Sequence, residues 1–165
     1  MKALQPQGAF LGEQNGPNYG SMPSIRRYHA GCVDRAGAGV LLMGGAGSGK
    51  SDLALRLLSL GFALVADDQV LVRDRIAQAP AELAGLLEIH GLGIFRLPHV
   101  AETRLALVVE LAAPEARLPM PARHRELDLP LVRIDPFAAS APQQVVLALD
   151  CALGRVSQVA GVFVP

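Results

Sequence analysis

From residue 25 to residue 134, apolar positions come in short alternating or continuous runs broken by Gly, Pro and Asp, a pattern of strands more than of helices. Residues 25–33 read as one strand, residues 34–38 as a turn, and the apolar run 39–43 as a buried strand. Residues 50–60 repeat apolar side chains at helical spacing, and Gly61 stands where a helix end favours glycine. Residues 62–66 (Phe-Ala-Leu-Val-Ala) predict a short strand running into Asp67 and Asp68. Residues 70–73 continue it or pair beside it, with Arg73-Asp74-Arg75 as a turn. Residues 80–87 fit a helical turn or a loop leading to a strand, and residues 88–95, with Gly91 and Gly93, read as a functional loop. A buried strand follows at 104–111, then a proline-rich surface excursion at 114–130 and a short strand at 131–134. A second helix spans 141–153, opened by Pro142 and closed by Gly154. Residues 1–23, rich in Gly, Gln, Asn and Pro without period, predict a disordered extension, or sequence upstream of a start at Met22. Residues 24–165 then predict a single domain built on a mixed α/β sheet with few helices.

Between the strand at 39–43 and the helix at 50–60 lies Gly44-Gly45-Ala46-Gly47-Ser48-Gly49-Lys50-Ser51, a complete G-x-x-x-x-G-K-S string. In that position a Gly-rich backbone can curl and aim several N–H groups at one anion, while the helix dipole adds positive potential. Lys50, one of only two lysines in the chain, would reach the β- and γ-phosphates, and the Ser51 hydroxyl would bind Mg²⁺. The string implies a nucleotide-binding loop. Asp67 and Asp68 follow at the end of a strand, where a metal-binding or catalytic acid belongs. Successive strand residues point to opposite faces, so the two acids are expected to have different roles, one toward Mg²⁺ and one toward a substrate proton.

Composition narrows the setting. Half the residues (51%) are hydrophobic, 18% are charged, and the formal net charge is zero, so neither nucleic acid nor an anionic membrane is expected as a partner. Cys32 and Cys151 stand in apolar contexts without a paired metal motif and read as small core hydrophobes. With no apolar signal region near the start and no uncharged stretch long enough for a bilayer, the expected location is cytoplasmic.

Taken together, His29, the loop 44–51, the string Gly61-Phe-Ala-Leu-Val-Ala-Asp-Asp-Gln-Val70 and the string Leu87-Glu-Ile-His-Gly-Leu-Gly-Ile94 resemble the catalytic domain of HPr kinase/phosphorylase. The resemblance covers about residues 24–135 and matches a short, alphaproteobacterial-type form without the N-terminal domain of full-length members. It implies a P-loop fold like that of the HPr kinase catalytic domain and of phosphoenolpyruvate carboxykinase. It also implies an ATP- and Mg²⁺-dependent serine kinase acting on HPr or an HPr-like phosphocarrier, with many members reversing the reaction by phosphorolysis, and a homo-oligomer, hexameric in the family. By position, Lys50 and Ser51 match the loop lysine and the Mg²⁺-binding serine, and Glu88 the second magnesium-associated acid. The Asp67-Asp68 pair matches the acids that include the proton acceptor, assigned here to Asp68, and His29 matches a histidine near the phosphoryl group. A family arginine falls within 114–130, with Arg117 the first candidate and Arg125 the second. The family's P-V-R-P-G-R-N-like segment, linked to phosphorolysis, appears only as Leu131-Val-Arg-Ile-Asp-Pro136, which predicts weak or lost reverse activity.

Two other readings stand beside this one. A small-molecule P-loop kinase fits the loop alone, and a non-catalytic ATP-sensing module would bind nucleotide without turnover. A GTPase is disfavoured, because no N-K-x-D string occurs.

Overall fold

The computed structural model describes residues 24–164. The expectations for residues 1–23, including a start at Met22, lie outside them. Eleven strands and two helices follow in the order β1 (Arg26–Tyr28), β2 (Ala30–Arg35), β3 (Ala38–Met43), α1 (Lys50–Leu58), β4 (Ala63–Ala66), β5 (Val70–Arg73), β6 (Ile76–Gln78), β7 (Leu86–Ile89), β8 (Gly93–Arg96), β9 (Glu102–Leu111), β10 (Arg123–His124), β11 (Leu129–Ile134) and α2 (Ala141–Ala152). The architecture is mixed α/β. A nine-stranded sheet runs β1-β5-β6-β9-β3-β2-β4, with β11 joining β9 beyond β6 on the same edge and β10 pairing β11. The strand β9 makes this possible through its length: its first residues pair antiparallel with β6, its last pair parallel with β11, and its other edge pairs parallel with β3. A separate hairpin of β7 and β8 stands off the main sheet.

Strand alternation sorts the core to two faces. Val40 and Leu42 of β3, with Leu107 and Val109 of β9, meet the apolar stripes of both helices, including Leu53, Leu57, Val145 and Leu149. In α1 the buried positions Lys50, Leu53, Ala54 and Leu57 recur at helical spacing, so one side of the helix packs and the other faces water. Phe62 folds back onto the same cluster after a turn in which its N–H donates to the Leu57 carbonyl and that of Gly61 to Leu58. These two bonds give the helix the glycine-closed end expected from Gly61. Leu41, Val65, Val108 and Cys32 point to the opposite face, which Tyr28, Val70, Val72 and Ala77 of β1, β5 and β6 cover.

Several local expectations are corrected. Residues 25–33 are two strands and not one, with a bend at His29. Residues 88–95 are not a loop: β7 and β8 pair Glu88 with Ile94 and Ile89 with Gly93, around a three-residue turn. The glycines supply that turn rather than an irregular segment, with φ of 79° at Gly91 and 121° at Gly93. The excursion at 114–130 re-enters the protein at its end, where Leu127 and Leu129 are buried beside β10.

Candidate active site

Three strand ends meet at one point. Antiparallel pairing of β2 with β3 sets Ala30 opposite Met43, so the bend at His29 lies beside the start of the Gly-rich loop. Pairing of β2 with β4 brings Ala66 opposite Cys32, and the Ala30 N–H donates to the Asp68 carbonyl at 3.2 Å. Residues 46–51, 67–68 and 29 therefore share a cleft of about 800 Å³, with Glu88, Ile89 and His90 of the β7–β8 hairpin along its wall. That volume suits a small-molecule ligand.

The loop has the backbone a phosphate site requires. Gly49 holds φ 88° immediately before α1, a conformation that β-carbons disfavour. At Gly44 any β-carbon would stand 2.4 Å from the Ser48 hydroxyl, so the loop closes only around glycine there. Lys50, only 7% exposed, bends back across the loop, and its Nζ donates to the carbonyls of Gly44 at 2.8 Å and Gly45 at 2.9 Å. The third Nζ contact is His29 Nε2 at 3.4 Å. On the far side of that ring, His29 Nδ1 lies 3.0 Å from Asp68 Oδ1. Since an ammonium only donates, Nε2 accepts and Nδ1–H donates to the carboxylate. Lys50, His29 and Asp68 form one connected line.

Asp67 belongs to a second group. The Ser51 hydroxyl lies 3.0 Å from both Asp67 oxygens, and the Glu88 N–H reaches Oδ2 at 3.4 Å. The two acids do diverge, but not because a strand alternates: β4 ends at Ala66, before either of them. Asp68 sits at φ 65°, bridged by a bond from the Gln69 N–H to the Asp67 carbonyl, a γ-turn with positive φ. Such geometry carries strain of about 1 kcal/mol or more and concentrates at functional sites. The turn sends Asp67 toward Ser51 and Asp68 toward His29, both within the same cleft.

Burial pushes the Asp67 carboxyl up from its ordinary value, opposed by the hydrogen bonds from Ser51, Glu88 and Asp68. A raised acid pKa means the anion is disfavoured in the fold, so neutralising it should stabilise. Asp67→Asn is expected to raise the unfolding midpoint near neutral pH. The advantage should shrink on acidification, because below the ordinary aspartate value the carboxyl is protonated in both folded and unfolded wild type. It should grow as pH rises through the elevated native value, which thermal unfolding of both proteins across pH 3–7 (an approximate range) would resolve.

Not every expected residue arrives. Arg117 is exposed in the stretch after β9 and does not line the cleft, and Arg125, in the turn between β10 and β11, is likewise exposed. Among the described residues neither forms an ion pair, and the chain on either side of β10 carries them along the surface. Conversely, Phe137 and Leu55 line the cleft with no sequence signal beyond their being apolar. Among the described residues, no three His, Cys, Asp or Glu side chains gather as a metal cage. The Ser51–Asp67 pair still offers hard oxygen donors and a carboxylate whose charge is poorly solvated, which suits Mg²⁺ shared with phosphate oxygens.

The model of the HPr serine kinase C-terminal domain matches residues 21–118 of the chain. An HPr kinase/phosphorylase of Latilactobacillus sakei is 38% identical over 104 residues, 56% of this chain and 33% of that protein. One from Aromatoleum aromaticum is 39% identical over 143 residues, 72% of this chain and 44% of that protein. The chain thus spans less than half the length of these curated relatives. The solved structure of the HPr(Ser) kinase/phosphatase from Coxiella burnetii superposes with a TM-score of 0.65 at 25% identity, covering 79% of this chain and 92% of that one. No helix among the described residues is long and apolar enough to cross a membrane. With its loop, acidic pair and β7–β8 hairpin inside the matched region, the chain belongs to the HPr serine kinase C-terminal domain family.

Proposed function

We propose that the chain transfers the γ-phosphoryl group of ATP to a serine hydroxyl of an HPr-like phosphocarrier protein in the cytoplasm. The observation that carries this reading is the division of the cleft into two groups, Ser51 with Asp67 and Lys50 with His29 and Asp68, on either side of one phosphate loop. The loop N–H groups and the N-terminus of α1 hold the phosphates, and Lys50 places its ammonium against the transferring group. Ser51 and Asp67, with Glu88 beside them, would hold Mg²⁺, whose charge would offset the negative charge of the phosphate oxygens when bound. Asp68 accepts the proton as the serine oxygen forms its bond to phosphorus and the bond to the β-phosphate oxygen breaks. His29 holds the Asp68 carboxylate and couples it to Lys50, which keeps base and electrophile in fixed register. A protein carrier, and not a small molecule, is favoured by the names of the relatives.

The reverse reaction needs cationic groups free to hold phosphate beside a phosphoserine. Arg133 in β11 is instead paired with Glu110 at 2.7 Å and with Glu115, and it lies away from the cleft. Asp135 adds a carboxylate two residues on, and it is occupied in accepting the Phe137 N–H at 3.0 Å. Phosphorolysis should therefore run at least about tenfold slower than phosphorylation, a difference of about 1.4 kcal/mol in barrier. Carrier-dependent ADP release measures the forward rate, and pyrophosphate release from serine-phosphorylated carrier with Mg²⁺ and phosphate measures the reverse. ADP release that ignores the carrier would favour a nucleotide sensor, and equal rates would contradict the assignment of Arg133.

A further inference from the structure

Phe137 occupies the turn between β11 and α2 with 73% of its surface exposed, yet it lines the phosphate-loop cleft. Its ring passes close over the loop, 3.4 Å from where a β-carbon on Gly49 would stand. The turn beneath it is firmly held. The Phe137 N–H donates to Asp135 Oδ1 at 3.0 Å, and the Ala138 N–H donates to the Asp135 carbonyl at 3.2 Å. From α1, the Arg56 guanidinium donates to the carbonyls of Pro136 and Ala138 and is itself braced by Asp52 at 2.9 Å. The helix that begins at the phosphate loop thus fixes the turn that carries the ring. Leu55, one helical turn beyond Ser51 and itself partly exposed, adds a second apolar surface to the same cleft.

A large aromatic ring left in water forgoes the burial that normally justifies it. Here the ring is presented on a braced turn beside a phosphate site, where the rest of a nucleotide must lie. We infer that Phe137 is the platform on which the base of the nucleotide stacks, with Leu55 as adjoining apolar surface. This rests on reading the cleft as a nucleoside triphosphate site. The phosphate loop, Lys50 and Ser51 hold the triphosphate; Phe137 acts on the base alone. Stacking on an aromatic ring exploits a π-face common to all bases, and its removal typically weakens binding by about 5–100-fold.

The discriminating pair of ligands is MgATP and Mg-tripolyphosphate, which share the phosphates and differ in the nucleoside. Calorimetric titration of wild type, Phe137→Ala and Phe137→Trp with each ligand is the experiment. Because the side chain is exposed, the alanine variant should fold as the wild type does. Phe137→Ala is expected to lose about 5–100-fold in ATP affinity while binding tripolyphosphate within about twofold of wild type, and Phe137→Trp to restore ATP binding. Equal losses for both ligands would overturn the inference and make the ring a support for the loop. Unchanged ATP affinity, with a defect only in the KM for the carrier, would overturn it in favour of a docking role. Wild type that binds neither ligand would instead refute the nucleotide-site reading itself.

Discussion

Lys50→Ala is expected to lower the rate of phosphoryl transfer by about 10²–10³-fold or more, the scale seen when one preorganised charge-stabilising group is removed from a transition state. The ammonium is the only cationic group poised on the loop itself, and its three donors are already directed to Gly44, Gly45 and His29. Its loss would remove both the charge proposed to face the transferred group and the contact to the His29 ring that lies against Asp68. The fold should survive, because Gly45 is exposed and its carbonyl can turn to water. Circular dichroism and the unfolding midpoint check the fold, while initial rates of carrier phosphorylation give the effect. Near-normal turnover in a folded variant would contradict the phosphate-loop assignment.

Asp68→Asn is expected to lower kcat by about 10²–10⁴-fold with little change in ATP affinity, the usual contribution of a positioned general base. Asparagine is the informative substitution because Asp68 holds φ 65°, a left-handed conformation that Asn tolerates and most other residues resist. It preserves the γ-turn and an acceptor for the His29 Nδ1–H, while removing the negative charge and with it the ability to take a proton. Nucleotide titration beside single-turnover transfer separates the two roles. Lost ATP affinity with normal turnover at saturation would make Asp68 a ground-state binding residue instead.

The main elements around the site were legible in the sequence, because each rests on local patterning. The loop at 44–51 is a contiguous string between an apolar strand and an amphipathic helix, and the structure keeps it so. Pro142 and Gly154 bracket α2 as their backbone preferences require. What depended on non-local pairing was not legible. The bend at His29 exists because β2 begins with Ala30 against Asp68 and Met43, partners 38 and 13 residues away in sequence. Asp67 and Asp68 would point to opposite faces of a strand that ran on through Asp68; β4 ends two residues before it, and a γ-turn separates the pair instead. Arg117 lies in a stretch without regular structure, where sequence offers no register to place it. Phe137 and the Asp52–Arg56 brace beneath it come together only when α1 packs against the turn before α2.

The most direct measurement mixes wild-type protein, Mg²⁺, γ-labelled ATP and the HPr-like carrier of the same organism, then maps the labelled residue, with Lys50→Ala and Asp68→Asn run in parallel. Label is expected on a carrier serine in the wild type, with a rate reduced by at least about 10²-fold in each variant. Tight ATP binding without any labelled serine, or labelling that proceeds equally in the Lys50 and Asp68 variants, would contradict it.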